Sequence, residues 1–582
     1  MSVGESIPPS MVRALPARRW GRVTDGAIQG GLWLVLVCLI VVPLLPLVLA
    51  SVRSRPLYEA GGTFTLDGYS TLLGDPAFWR AALNTLEFAV TVTVISVVVG
   101  GGLAVLCERT DLPGRRVLSR LALLPIFLPP LGLILGWISL YGDGGYFTSF
   151  VTGTLHVPWD IGTPWGMGVM GAAVGAPFAL ITVQAALRGS DPAFEEAARS
   201  AGASTTRVLR QVTVPLLRPA LLNVALLIFT ISLEQLGIPK FLGAAHDIDF
   251  VASYLYRTWS ESATPDPASV SAGAVLLLLT ASALIALRRW AVGPEERFVT
   301  TATHSALQPL ALGAWRAPLA LLIVAYLAVT TIAPVGGVIL ASFVTFLTPL
   351  LSPFDLLTLD NFRTAFRDPG MSASIRNSVI LAGAGSLVTT GVIAVATLVA
   401  HRSRMAMRHS LRFLMLYPRS VPGIIISLAF FWSFLFIVPP GAWVRNNLVG
   451  EAIALMVRAI PLAYMIMYPS LARIATEFDD AARVAGASWW TTSWRIVLPQ
   501  LRPAILGSLL ILFVAMLNDY EAVIFLAKPG TELMGVEMLR AYAQGSEGPV
   551  AALAVIQLAI SVIALGLGGL VLAVTRRRRT HA

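Results

Sequence analysis

The chain has 582 residues, of which 56% are hydrophobic and only 13% charged, with a mean hydropathy of +0.75. Soluble domains carry roughly 25% charged residues, so this composition excludes a soluble globular protein. The net charge of +10 comes from arginines clustered on alternate loops, the bias that orients membrane proteins, and it makes no case for a nucleic-acid partner.

Apolar runs recur at the length a helix needs to cross a hydrocarbon core about 30 Å thick. They fall near 29–51, 80–106, 118–141, 165–187, 216–241, 268–288, 317–344, 377–400, 411–437, 446–471, 500–527 and 549–574. An all-α polytopic membrane protein of about 12 transmembrane helices is predicted. The first run follows Arg13, Arg18, Arg19 and Arg22, but it exceeds the about 7–15 apolar residues of a signal-peptide core and reads as a retained span. The loops 108–117, 188–215, 289–316, 401–410 and 472–499 and the tail Arg576–Arg579 are arginine-rich, whereas 142–164 holds Asp143 and Asp160 and no Lys or Arg. That pattern predicts N- and C-termini on the cytoplasmic side, although Arg53, Arg55, Arg363 and Arg367 then lie outside. Cys38 and Cys107 lie in or at the ends of apolar runs and offer no disulfide framework or metal spacing.

The two halves of the chain repeat. Thr65–Tyr69 matches Thr358–Phe362, Asp75-Pro76 matches Asp368-Pro369, Asn84 matches Asn377, and Pro125 and Pro129 match Pro418 and Pro422, all at an offset of 293 (358 − 65). From Pro177 and Pro461 onward the offset is 284 (461 − 177). Both copies run in the same direction, so two parallel six-helix repeats are expected, related by an axis along the membrane normal with a pathway between them. The divisions are a cytoplasmic tail 1–28, a first half 29–290, a cytoplasmic linker 291–316, a second half 317–575 and a basic tail 576–582.

Between the fourth and fifth spans of each half lies a stretch too long for a turn. It contains Glu195, Glu196, Ala197, Ala198 and Gly202 up to Pro215 in the first copy, and Asp479, Asp480, Ala481, Ala482 and Gly486 up to Pro499 in the second. Asp191 before Pro192 is a helix start with proline at the first helical position, and Thr476 with Asp479 three residues on has the spacing of a capping box. The paired acids fall where carboxylates complement the helix dipole. Gly202 and Gly486 stop the helix where a left-handed residue is needed. A second short helix is expected to end before Pro215 or Pro499, which begins the next span. One copy would pass for an amphipathic helix on the membrane surface; two copies in register argue for a shared task.

These residues resemble the EAA loop of importer permeases in the ATP-binding-cassette superfamily. Glu196, Ala197, Ala198, Gly202, Val212, Val214 and Pro215 fit its pattern, as do Ala481, Ala482, Gly486, Ile496, Leu498 and Pro499, with Asp480 in place of glutamate. The resemblance implies that the loops form coupling helices that seat in a cleft of an ATPase subunit and transmit its closure to the spans. It also implies two copies of that ATPase, an extracytoplasmic solute-binding protein, and residence in a bacterial cytoplasmic (inner) membrane. A single chain with fused halves looks most like the ferric-iron, thiamine and phosphonate permease group. Lys240 and Lys528, the only lysines, follow Pro239 and Ala527 and cannot belong to a phosphate-binding loop, which needs lysine between Gly and Ser/Thr. No cofactor is therefore expected in this chain, and ATP belongs on the partner subunit.

Ionisable residues within spans are costly and usually functional. Glu234-Gln235 in span five and Asn518-Asp519 with Glu521 in span eleven are candidates for the translocation pathway, as are Asn84 and Asn377 at the outer ends of spans two and eight. Glu234 lies 18 residues past Leu216, roughly 27 Å along a helix, which also fits an interfacial carboxylate; Asn84 and Asn377 equally fit helix caps. Arg458 inside span ten faces Val174 in the repeat alignment, and the pattern assigns it no role. Carboxylates at these positions suit a cationic cargo such as ferric iron, thiamine or a polyamine, because hard cations prefer oxygen ligands; aminoethylphosphonate stays open through the resemblance. A secondary transporter driven by an ion gradient also fits twelve spans in two parallel halves. The six histidines are scattered through loops and tail and build neither a metal site nor an active site.

Overall fold

The computed structural model of the chain describes residues 19–156, 159–190, 193–292, 309–403, 408–436 and 440–580. Arg13, Arg18, the Asp191-Pro192 helix start and most of the linker lie outside the described residues. Within them the protein is all-helical, with three isolated β-bridges and no strand. Among the described residues nine helices are long and apolar enough to cross a membrane, and counting each of three bent pairs as one span gives up to twelve.

The repeat is visible element by element. The short helices Asp67–Gly74 and Asp360–Arg367 each precede a 34-residue helix, Pro76–Arg109 and Pro369–Arg402. Both long helices start alike. Asp75 accepts from the Ala77 amide at 2.8 Å and Asp368 from the Met371 amide at 2.9 Å, with proline in the first turn, where its missing N–H is not needed.

The prolines of the third and ninth spans do more than kink a helix. The chain turns by 104° between Arg115–Phe127 and Pro130–Gly153, and by 107° between Arg408–Ser420 and Gly423–Phe436. Leu128 and Val421, each just before a proline, are extended, with ψ of 146° and 113°, because the proline ring excludes the helical region for its predecessor.

After each turn the chain crosses to the other half. Pro130–Tyr141 packs on Ala333–Ser342 and on the last helix, while Gly423–Phe436 packs on Leu44–Ser51 and Pro267–Val292. Helices in lipid associate through close packing rather than hydrophobic transfer. At Gly136 the approach is so close that an added Cβ would lie 1.9 Å from the Pro334 carbonyl oxygen. Trp432 Nε1 donates to Ser271 Oγ across the same kind of contact at 3.0 Å. The halves are interlocked rather than side by side.

Candidate functional site

The two acid-Ala-Ala helices are Ala193–Ser200 and Glu477–Val484. Eight residues do not hold a helix in water by themselves; each is fastened from the span side by an arginine. Arg109 pairs with the buried Glu195 at 3.3 Å, and Arg402 donates to Asp479 at 2.6 Å. Arg109 also donates to the Leu187 carbonyl at 2.8 Å, and Arg402 to the Leu471 carbonyl at 3.2 Å and to that of Ile474. Positions 109 and 402 differ by 293, while 195 and 479, like 187 and 471, differ by 284. One device is thus built twice: the C-terminal arginine of a long helix ties the end of the fourth or tenth span to the short helix. The repeat alignment contained this signal, yet the two arginines read in the sequence only as loop charge. The copies are unequal, since Glu195 also accepts from Thr213 Oγ1 at 3.0 Å.

With the first acid turned inward, the second is left outside. Glu196 and Asp480 are exposed, as are Ala197 and Ala481, whereas Ala198 is half-buried and Ala482 buried. Phe194 and Phe478, equivalent in the repeat, are 59% and 50% exposed on the same helices, and sequence reasoning gave them no role. Gly202 and Gly486 take φ of +82° and +80°, conformations that cost a residue with a Cβ about 1–2 kcal/mol. Ala203 donates to the Ala198 carbonyl and Ala487 to that of Ala482, completing a Schellman ending in each copy.

Two local expectations are corrected. The Thr476 side chain makes no cap: its backbone is already helical and its carbonyl takes the Asp479 amide at 2.9 Å, while the Asp479 carboxylate that a capping box would turn back is held by Arg402. Nor does the second short helix end before proline. In both copies a π-turn, Leu209–Thr213 or Ser493–Val497, runs directly into the helical turn containing Pro215 or Pro499. Proline lacks the N–H that would reach back along the ladder, and the wider turn carries the chain past that gap.

The ionisable residues of spans five and eleven lie in breaks, not on continuous helix. Helix Arg218–Ser232 ends before Glu234 and Gln235, and helix Leu498–Asn518 ends before Asp519, so the distance along an unbroken helix does not locate Glu234. Both breaks converge on Arg458. Its guanidinium lies 3.2 Å from Glu234, 3.0 Å from Asp519 and 3.3 Å from Glu521. Glu234 Oε2 also accepts from the Gly423 amide at 2.8 Å, the first residue of helix Gly423–Phe436, where backbone N–H groups favour an anion. The Glu234 side chain is 14% exposed within a network joining the halves. Gln235 is half-buried in the same break, and the buried Asn518 Oδ1 has no hydrogen-bond partner. Arg458, without a role in the sequence, is the hub.

Asn84 and Asn377 sit in the third turn of their helices, not at a cap. Asn84 Nδ2 donates to the Asp249 carbonyl at 3.1 Å, and Asn377 Nδ2 to the carbonyls of Gly530 and Glu532 at 3.0 and 3.2 Å. Thr85 Oγ1 and Ser378 Oγ accept from the Val251 and Met534 amides beside them. Both pairs clamp the loop and short helix that follow the broken span. Nearby, burial and then the Asp75 carboxylate, which accepts from Tyr254 at 2.5 Å, push the Tyr254 phenol up to about 12. The scatter of histidines is corrected at one place. Asp143, Asp160 and His246 bring their ligand atoms within 4.8 Å of one another, but the Asp143 side chain is 71% exposed and the group reads as an ordinary surface contact.

A family model described as "Binding-protein-dependent transport system inner membrane component" matches the chain twice, at residues 84–292 and 390–577. The ferric transport system permease protein FbpB of Actinobacillus pleuropneumoniae is 25% identical over 84% of this chain and 71% of its own length. A second FbpB, of Haemophilus influenzae, is 26% identical over 82% of this chain and 75% of its own. The spermidine/putrescine transport system permease protein PotC of Haemophilus influenzae is 24% identical over 38% of this chain and 80% of its own length.

Proposed function

The chain belongs to the family of binding-protein-dependent transport system inner membrane components, and from that premise we propose that it is the fused permease of an ATP-driven importer for ferric iron. The family is one of transporter permeases, and the chain is a multi-pass membrane protein with two fused copies of the family domain. Everything finer is our reading. About twelve spans cross the bacterial inner membrane with both termini cytoplasmic. Residues 29–290 and 317–575 form the two halves. Glu196 and Asp480, with the alanines and glycines around them, dock two copies of a separate ATPase, where ATP is bound and hydrolysed. A solute-binding protein delivers cargo to the opposite face.

The observation that carries this reading is the duplicated arginine-anchored helix, which presents one acidic, aromatic face per half. Ferric iron is favoured by the likeness to two ferric permeases over most of the chain and by the three carboxylates gathered between the halves, since hard cations take oxygen ligands. A polyamine is the second reading, supported by the PotC likeness and by the same charge. Thiamine shares that charge, whereas aminoethylphosphonate carries a phosphonate that the carboxylates would repel.

The test is uptake of radioactive iron into proteoliposomes containing this chain, its ATPase and its binding protein. ATP-dependent accumulation is expected. Accumulation by the chain alone under an imposed ion gradient would establish the secondary-transporter reading instead.

A further inference from the structure

Three carboxylates and one guanidinium meet where the two broken spans face each other, and the partition of these groups between the halves is uneven. Arg458, Asp519 and Glu521 all belong to the second half; Glu234 alone comes from the first. Around them the halves are in tight contact. An added Cβ at Gly237, three residues past Glu234, would lie 2.5 Å from the Tyr520 hydroxyl oxygen. The rings of Phe241 and Tyr542 stand 4.4 Å apart, one from each half. The structure is thus one in which this level of the interface is shut.

We propose that the Glu234–Arg458 contact is the latch of the shut pathway, and that Glu234 is the carboxylate a cationic cargo takes over when the halves part. When they separate, Arg458 keeps Asp519 and Glu521 and remains compensated. Glu234 gives up both Arg458 and the Gly423 amide. Opening therefore costs the contact with Arg458 and leaves Glu234 as the one charge of the cluster without a counter-charge. A cation arriving in the opened cleft relieves that cost, and an anion adds to it. The latch therefore opposes opening without cargo and favours opening with a cation present. The proposal rests on the importer reading above and assigns cargo charge selectivity to one named side chain.

The experiment compares the wild-type chain, Glu234→Gln and the charge swap Glu234→Arg/Arg458→Glu, each assembled with the ATPase in lipid nanodiscs without binding protein. Glu234→Gln retains an acceptor for Gly423 and removes the ion pair. Its basal ATP hydrolysis is expected to rise about fivefold or more, the low end of typical coupling between sites. The swap again sets one arginine among three carboxylates across the interface but gives up the bond from Gly423, so it is expected to return hydrolysis part of the way toward the wild-type rate, a rescue that a merely structural role would not give. An unchanged or lower rate in Glu234→Gln overturns the latch. Should Glu234→Gln fail to assemble, the swap decides: hydrolysis raised less than about fivefold over wild type supports the latch, while a larger rise or failed assembly overturns it. If the wild-type chain itself does not assemble with an ATPase, the importer reading falls and the latch with it. If the wild-type chain assembles and the variants match it, the latch alone falls.

Discussion

Replacing Arg402 with alanine tests whether the short helix Glu477–Val484 is held from the span side. The Arg402 and Asp479 side chains are 7% and 13% exposed, and the guanidinium also serves the carbonyls of Leu471 and Ile474. Removing one member of a fully buried pair costs about 3–5 kcal/mol; the partial exposure of Asp479 places this pair near the lower end, ~3 kcal/mol. Because the short helix has little stability of its own, the loss falls on its attachment rather than on the membrane fold. A change of ~3 kcal/mol shifts the attached-to-detached ratio by about 150-fold. Hydrogen exchange over 477–486 measures this directly: protection is expected to collapse in Arg402→Ala while the apolar spans stay protected, and ATPase affinity is expected to fall with it. Arg109→Ala is expected to lose at least as much, because the Arg109 and Glu195 side chains are only 4% and 5% exposed and the bond from Thr213 compensates the stranded carboxylate only in part. Full protection of 477–486 in Arg402→Ala, with unaltered ATPase affinity, would refute the reasoning.

A Cβ added at Gly202 or Gly486 meets no atom within 4 Å, but valine there must adopt positive φ, at about 1–2 kcal/mol each; the double valine variant is expected to purify normally and to lose ATP-coupled uptake, so wild-type coupling in it would count against a docking role. Alanine at Phe194 and Phe478 removes two exposed rings, each able to contribute about 1.5–3 kcal/mol once buried by a partner, so ATPase affinity measured by titration is expected to drop at least tenfold with no change in thermal stability. Gly136→Ala drives a methyl group to within 1.9 Å of the Pro334 oxygen and is expected to cost about 1–3 kcal/mol, read as a lower melting temperature in detergent. Tyr254, with its phenol raised to about 12, contributes stability that is complete below its unfolded value near 10 and is lost as pH rises through about 12. The stability difference between wild type and Tyr254→Phe should shrink across that window, and a pH-independent difference would dismiss the linkage.

Periodicity and apolar length made the spans legible, and the constant offsets made the repeat legible, because both are properties of neighbouring residues. The left-handed glycines were legible for the same reason. The right-angle turns at Pro125–Pro130 and Pro418–Pro422 were legible only as interruptions: a proline shows where a helix stops, but the packing of the opposite half decides where the chain goes next. Arg458 was opaque. Its partners lie 61, 63 and 224 positions away, and its repeat counterpart is Val174, so neither local spacing nor symmetry points to it. Arg109 and Arg402 fall between these cases: the offset of 293 relates them, but only the fold shows that each reaches back to an acid on another element.

The paired π-turns have a mechanical meaning. Each stores one residue more per turn than the helix around it, immediately between the short helix gripped by Arg109 or Arg402 and the span that leads to the ion cluster. A plain helix would pass any displacement along as a rigid rod. Here the extra residue acts as a slip joint: absorbing it into regular helix advances the following span by about 1.5 Å and turns it by about 100°, so a push at one end can emerge as rotation at the other.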